Sequence, residues 1–353
     1  MNPPILPEEQ TATSEGEEGQ FVGGLDQLAP GEIITGDISL TAELDSAPVA
    51  YGVKVAEPKA RSQWELVLRR FLHHRLAIFS LLLLVVLFAL CFLAGSVAPY
   101  PLNPNPLPLL QANHGPSAAH WFGTDELGRD QLTRILYAGR LSLTIGLCVA
   151  IFSTIIGVTI GSVAGYFGRW ADQLLMRLTD LFLIVPAIAI IAMAQKGLAN
   201  HSWPVVGVVS SSTLIIGILS FLFWQSIARV VRGLFLSMKE KEYVEAARAS
   251  GASSTRVMFR HILPNIIGPI AVNTTLVVAA AIITESTLSF LGFGVQPPQV
   301  SIGTMLSQSE QSVGTATGYL IWWPGMFLLV TVLCVNFLGD GLRDAFDPQS
   351  NKH

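Results

Sequence analysis

The chain has 353 residues, of which 51% are hydrophobic and 13% charged, with a net charge of −4. That is too apolar for an ordinary soluble protein, which leaves a bilayer protein as the class to test. The three cysteines, Cys91, Cys148 and Cys334, lie in separate apolar runs, so neither a disulfide framework nor a cysteine metal site is expected.

Residues 1 to 53 hold ten Asp or Glu and no Lys or Arg, so the remainder carries 21 basic against 15 acidic residues. Residues 1–57 read as an acidic, mostly disordered tail with a short strand or partner-binding piece around Glu32 to Leu44. With no basic start and no apolar stretch in residues 1 to 20, a cleavable signal peptide is not expected. From Arg61 to Arg75 basic residues alternate with Trp64 and Leu66 to Leu68, as in a short interfacial helix. Leu76 to Val97 is apolar for long enough to cross a hydrocarbon core of about 30 Å. Together, 58–98 is the interfacial helix plus the first span.

Six prolines between Pro99 and Pro116 exclude a regular helix, so an exposed loop follows. After it, Asp125 or Thr124 is placed to cap an amphipathic helix carrying Leu132, Ile135 and Leu136, and 99–139 reads as an outer loop with a lateral helix. Leu141 to Gly165 is the second span, with Gly157, Gly161 and Gly165 on one face, a spacing that lets two helix backbones approach closely. The third span, Leu174 to Ala194, is interrupted by Pro186, and Arg177 and Asp180 are spaced to pair at its start. The fourth runs from Val205 to Ile227, the fifth from Pro269 to Leu291 and the sixth from Trp322 to Leu338. Residues 140–341 thus form the main membrane domain, and 342–353 a C-terminal tail; at their junction Asp340, Arg343 and Asp344 are spaced for a local ion network.

Between the fourth and fifth spans lies a charged island, KEKEYVEAARASGASSTRVMFRHILP, Lys239 to Pro264. Tyr243 to Ala249 has no breaker and is rich in helix formers. Gly251 can end that helix in the left-handed conformation. Ser253, Ser254 and Thr255 can cap a second helix, and Pro264 is expected to stop it. With six spans and both termini on one side, that side and its span edges hold 17 of the 21 Lys and Arg, and the other holds Arg129, Arg134, Arg140 and Lys196. By the positive-inside rule the hairpin is cytosolic.

In the fifth span Glu285 is a deep carboxylate, expensive unless it meets water or a partner. Thr274, Val278, Ala281, Glu285 and Ser289 share one stripe, which fits either a hydrophilic path or a hydrogen bond between helices. There is no G-x-x-x-x-G-K-[S/T] loop, no H-E-x-x-H and no ordered Ser/His/Asp set, so an enzyme has no positive support and ATP hydrolysis by this chain is excluded. Gly339-Asp340-Gly341 has no second aspartate motif to make a protease.

Glu245-Ala246-Ala247, three residues, Gly251, nine residues and His261-Ile262-Leu263-Pro264 resemble the EAA loop of ABC-importer permeases, with His261 where the general pattern has Ile. Gly123-Thr-Asp-Glu-Leu-Gly-Arg-Asp130 resembles the signature before the second span in dipeptide and oligopeptide importer permeases. Glu285 with Thr287 to Gly292 is typical of the same branch, and Pro297 to Leu306 is similar to its outer loop, with Ile302 where Trp is usual. The resemblance covers about residues 64 to 348.

It implies an all-α polytopic protein of six transmembrane helices with the type I ABC importer fold, the C-type permease of a dipeptide, oligopeptide or nickel class. It implies ATPase coupling through Glu245, Ala246, Ala247, Gly251, Leu263 and Pro264, and a path along Thr274, Ala281, Glu285 and Ser289. In the outer loop it singles out Asp125, Gly128, Arg129 and Asp130. The implied partners are a homologous permease in a heterodimer, two cytosolic ATPases, an extracytoplasmic solute-binding protein and membrane lipid, with no nucleic acid. No cofactor or metal is implied on this chain, since ATP and Mg belong to the ATPases. The implied location is the bacterial inner membrane, with both termini cytoplasmic. The alternatives are a secondary transporter, for which no intramembrane ion site or inverted repeat is visible, and a membrane scaffold not coupled to ATP.

Overall fold

The computed structural model describes residues 63–184, 186–199 and 210–347. The contacts divide the chain after Lys59, and everything described here belongs to the second unit, Ala60–His353. The acidic tail, with its expected strand around Glu32 to Leu44, lies outside the described residues.

α1 (Gln63–His73) and α2 (Arg75–Phe92) are separated at His74, whose ring Nδ1 accepts the Ala77 amide at 3.1 Å and so caps α2. A single turn, α3 (Ala94–Val97), leads into the proline-rich loop. α4 (Gln131–Phe167) is a 37-residue helix, about 55 Å long at 1.5 Å per residue. The sequence places a lateral helix before residue 140 and a span after it, but the two are one helix. Its cap is Asp130, whose Oδ2 accepts the Thr133 amide at 2.8 Å, and not Asp125 or Thr124. The polar first turns read as surface because nothing in the sequence reveals that the preceding loop covers them.

The third predicted span is two helices, α5 (Arg169–Ile184) and α6 (Ala187–Ala199), parted where Pro186 lacks an amide donor. α7 (Ser211–Met238) runs 11 residues past the predicted end of the fourth span. α8 (Glu242–Ala249) and the short α9 (Ser254–Arg256) form the hairpin, and α10 (Ile267–Phe290), α11 (Ile302–Gln308) and α12 (Tyr319–Phe346) complete the chain. Among the described residues, five helical stretches are long and apolar enough to cross a membrane: α2, α4, α7, the continuous path Ser254–Phe290, and α12. Neither half of the broken third span reaches that length alone.

α4 is the axis of the bundle. It packs on α7 along most of its length and on α10, which packs on α12, which packs on α2. A Cβ on Gly157, Gly161 or Gly165 would lie 2.5–2.8 Å from α7 backbone oxygens or the Phe235 Cβ, so the glycine stripe marks backbone-to-backbone contact between α4 and α7. α1 is tied to the end of α12 by Arg70, which donates to the Asp347 carbonyl at 2.9 Å. Asp344 meets the His74 ring at 3.4 Å, a contact between helices, and among the described residues no ion pair joins Asp340, Arg343 and Asp344 into the expected network. Likewise Asp180 pairs with Arg229 on α7 at 2.6 Å, not with Arg177 one turn away.

Candidate functional site

The hairpin is a rigid projection with one buried and one open side. Val244 is fully buried in a cluster with Phe235 of α7 and with Val257, Met258, Ile262 and Ile266 of the hairpin's returning limb. Glu245, Ala246 and Gly251 are exposed, Ala247 is half-buried, and Arg248 lies over the Tyr166 ring at 5.1 Å, tying α8 to the end of α4. The turn is a Schellman motif: the Ala252 amide donates to the Ala247 carbonyl at 3.1 Å and the Gly251 amide to Arg248 at 2.9 Å. Gly251 has φ +80°, and a Cβ there would meet nothing within 4 Å, so it is needed for conformation and not for space. Gly251→Ala is expected to weaken this turn by about 1–2 kcal/mol, read as roughly tenfold faster amide exchange across Glu242–Ala249 with the membrane bundle unchanged.

Pro264 does not stop the second helix. The backbone stays helical from Ser254 to Phe290 by passing through a π-helical stretch, Val257–Ile262, and a tight 3₁₀ turn, Leu263–Ile266. The Leu263 amide bonds five residues back to Met258, and the Asn265 side chain donates to the His261 carbonyl at 2.6 Å. This change of winding accommodates the proline ring that an unbroken α-helix would reject. Leu263 is half-buried and Pro264 exposed at the root of the hairpin.

At the other end of the bundle, the Gly123 to Asp130 segment is a lock. Asp125, almost fully buried, accepts at Oδ1 from the Leu127 and Arg129 amides, and at Oδ2 from the Arg129 side chain at 2.7 Å and Arg134 at 2.6 Å. Arg134 also donates to Gln308 of α11 at 2.6 Å. Asp130, besides capping α4, meets His120 Nδ1 at 2.9 Å, and His120 Nε2 meets Gln111 at 3.2 Å. Gly128 has φ +73°, and a Cβ on it would sit 2.0 Å from the Pro108 carbonyl oxygen. Tyr319 of α12 donates to the His114 and Thr124 carbonyls. The motif thus fastens the proline-rich loop to α4, α11 and α12. Sequence reasoning singles out its four residues but misses His120, Arg134 and Tyr319, whose partners lie elsewhere in the chain.

The α10 stripe is not an open wall. Ala281, Glu285 and Ser289 are buried, and Thr274 hydrogen-bonds Thr154 of α4 at 3.0 Å. Glu285, fully buried, accepts from Ser142 of α4 at 2.9 Å and from Ser289 at 2.7 Å. Ser289 Oγ in turn accepts the Val295 amide, and Ser142 Oγ the Ile302 amide. Of the two readings of the stripe, the geometry is that of a hydrogen bond between helices, extended to the loop before α11. The periodicity identifies a shared face but not the helix, α4, that covers it.

Near the hairpin end, Arg232 of α7 holds Asp172 of α5 through two hydrogen bonds, Nε to Oδ1 and Nη2 to Oδ2, the second 2.6 Å long. No group of three or more His, Cys, Asp or Glu among the described residues is arranged to hold a metal ion.

Residues 157–352 match the model of the binding-protein-dependent transport system inner membrane component, and residues 62–116 match that of the N-terminal TM domain of oligopeptide transport permease C. The chain is 39% identical over 290 residues to the oligopeptide transport system permease protein OppC of Mycobacterium tuberculosis, covering 82% of this chain and 96% of that protein. It is 38% identical over 299 residues to the glutathione transport system permease protein GsiD of Pectobacterium atrosepticum, covering 84% and 94%. The solved MetNI methionine ABC transporter, in inward facing conformations, aligns with a TM-score of 0.47 and 16% identity over 59% of this chain and 93% of that one. Matched by the family model over more than half its length and by the OppC and GsiD permeases over nearly all of theirs, the chain belongs to the family of binding-protein-dependent transport system inner membrane components.

Proposed function

We propose that this chain is the permease subunit of an ATP-driven importer for peptides, with the α8 hairpin as the knob gripped by separate ATPase subunits on the cytosolic side. The relatives named for oligopeptide and glutathione transport support a peptide cargo. The excess of Lys and Arg at the hairpin end supports that orientation, with both termini cytoplasmic in the bacterial inner membrane. In this reading a related permease completes the conduit, a solute-binding protein delivers cargo to the outer loop, and ATP with Mg is held by the ATPases.

The observation that carries the proposal is the two-sidedness of the hairpin. Val244, Val257, Met258 and Ile262 are anchored in the bundle, while the Glu245-Ala246 face is open and offers a small side chain against which another surface can close. A ligand moves a conformational equilibrium only through contacts that differ between its states. A knob rigidly joined to α7 and α10 transmits such a difference, because pushing α8 moves both helices. Glu245→Lys is expected to remove about 2–5 kcal/mol of docking energy by placing the wrong charge at the contact. ATPase subunits then fail to co-purify and ATP-dependent peptide uptake is lost, while the isolated permease melts as before. Unchanged assembly and uptake, or uptake driven by a proton gradient without ATP, would refute the proposal.

A further inference from the structure

A helix surface facing lipid exposes apolar groups, whereas charge and small polar groups face water or protein. α2 shows the first pattern, exposing Leu76, Phe79, Leu82, Val85 and Val86. α7 shows the second. Its exposed ridge climbs in steps of four through Thr213, Gly217, Phe221, Arg229, Gly233 and Ser237. Gln225 fills the middle step; it is 3% exposed, and its amide nitrogen has no hydrogen-bond partner. Phe221 is the only large apolar group on this ridge, and a Cβ on Gly217 or Gly233 would meet nothing within 4 Å, so these glycines leave open space.

α5 completes the surface. Gln173, Arg177 and Asp180 share one face and are all exposed at the hairpin end of α5, whereas its far end exposes the apolar Leu181 and Ile184. Asp180 crosses to Arg229 and Asp172 to Arg232, so each aspartate has its own arginine on α7. Arg177 stands between these two straps with no ion pair or hydrogen bond among the described residues. It lines an open cleft of about 720 Å³ with Trp170, Gln173 and Asp180. Asp172 and Arg232 line the cleft as well, and with both aspartates already paired on α7, Arg177 is its one charge without an ion pair among the described residues, on a side chain whose planar donors fit a carboxylate in two parallel hydrogen bonds. It sits near the hairpin end of α7, where Arg229 is about 13 Å short of the helix terminus.

We propose that the exposed ridge of α7, with the Gln173–Asp180 turns of α5 beside it, is this subunit's wall of the conduit, and that Arg177 receives the carboxylate of the passing cargo at the hairpin end. This rests on the transport reading above and adds to it a residue and a ligand chemistry. A lipid phosphate is the competing partner for an exposed arginine beside a tryptophan. The ridge of glycine, threonine, serine and arginine running away from the cleft favours an aqueous path, since acyl chains would solvate none of those groups.

The test uses the complete importer, with its ATPases and binding protein, and labelled tri-alanine as cargo. Arg177→Cys is expected to lower uptake about tenfold, the scale of one charge-assisted hydrogen bond, with ATPase co-purification unchanged. Arg177→Lys, which keeps the charge but loses the paired planar donors, should fall between R177C and the wild type. Aminoethyl methanethiosulfonate, which restores a positive charge at the introduced thiol of the R177C variant, should recover transport, and the sulfonatoethyl reagent should not. Full uptake by R177C, recovery with both reagents or with neither, or reaction of the new thiol only with a lipid-soluble maleimide would overturn the proposal. A wild-type assembly that carries no peptide at all would instead overturn the transport reading on which it rests.

Discussion

Gly161→Leu is expected to abolish the native packing of the bundle. A Cβ at Gly161 would lie 2.5 Å from the Ala228 carbonyl oxygen and 2.9 Å from the Val231 Cβ. The first of these is α7 backbone, so no side-chain rotation relieves the clash and the helices must separate. Gly157 faces the Trp224 carbonyl at 2.7 Å and Gly165 the Arg232 carbonyl at 2.8 Å, so opening the middle of the seam pulls on both ends. Overpacking a single site costs about 1–3 kcal/mol where neighbours can yield. The alanine Cβ already meets that backbone, so Gly161→Ala falls at the top of that range or above it, and leucine adds three more carbons to the same seam.

The loss reaches the hairpin, because Phe235, against which Gly165 packs, belongs to the same buried cluster as Val244 and Ile262. Thermal unfolding in detergent should show the largest downward shift for Gly161→Leu, a smaller but clear one for Gly161→Ala and no downward shift for Gly233→Ala, whose added Cβ meets open space. Equal melting of Gly161→Leu and wild type would mean that α4 and α7 are not held at this distance in the membrane protein.

What is legible in the sequence depends on how local the deciding interaction is. The hairpin is readable because its parts are neighbours: Gly251 ends α8, and Ser253 accepts the Arg256 amide to start the next turn. The glycine spacing of α4 is readable as close helix contact, although the sequence does not say that α7 is the partner. Interactions across the chain are not readable. Asp180 has Arg177 one turn away, yet its partner is Arg229, 49 residues on, because α5 lies against α7. The α10 stripe is visible as a periodicity, and the same periodicity serves a path or a packed seam. Only the position of Ser142 on α4 decides for the seam at Glu285. Pro264 misleads for another reason: proline forbids the α-helical hydrogen bond but not a π-to-3₁₀ change of winding, which keeps the axis running.

Asp125→Ala is expected to be the most damaging change at the opposite end of the bundle, costing about 3–5 kcal/mol, because it leaves a buried arginine without its counter-ion. Arg134 is 3% exposed and would keep only Gln308 as a partner, with its Nε already unpaired. Arg129 is less affected, since it is only partly buried and can turn to water. The asymmetry is a test of which arginine matters. Arg134→Met in the Asp125→Ala background removes the stranded charge and should recover part of the stability, so the double variant is expected to melt above the Asp125→Ala single variant. Arg129→Met in the same background should give no such recovery. The damage should be local in its first stage, with the proline-rich loop and α11 becoming cleavable by protease before the helices separate, because Asp125 and Arg134 are what join the loop to α11 through Gln308. A double variant no more stable than Asp125→Ala alone would show that the loop is held by Tyr319 and the His120–Asp130 contact instead, and that the buried ion pair is dispensable to the lock.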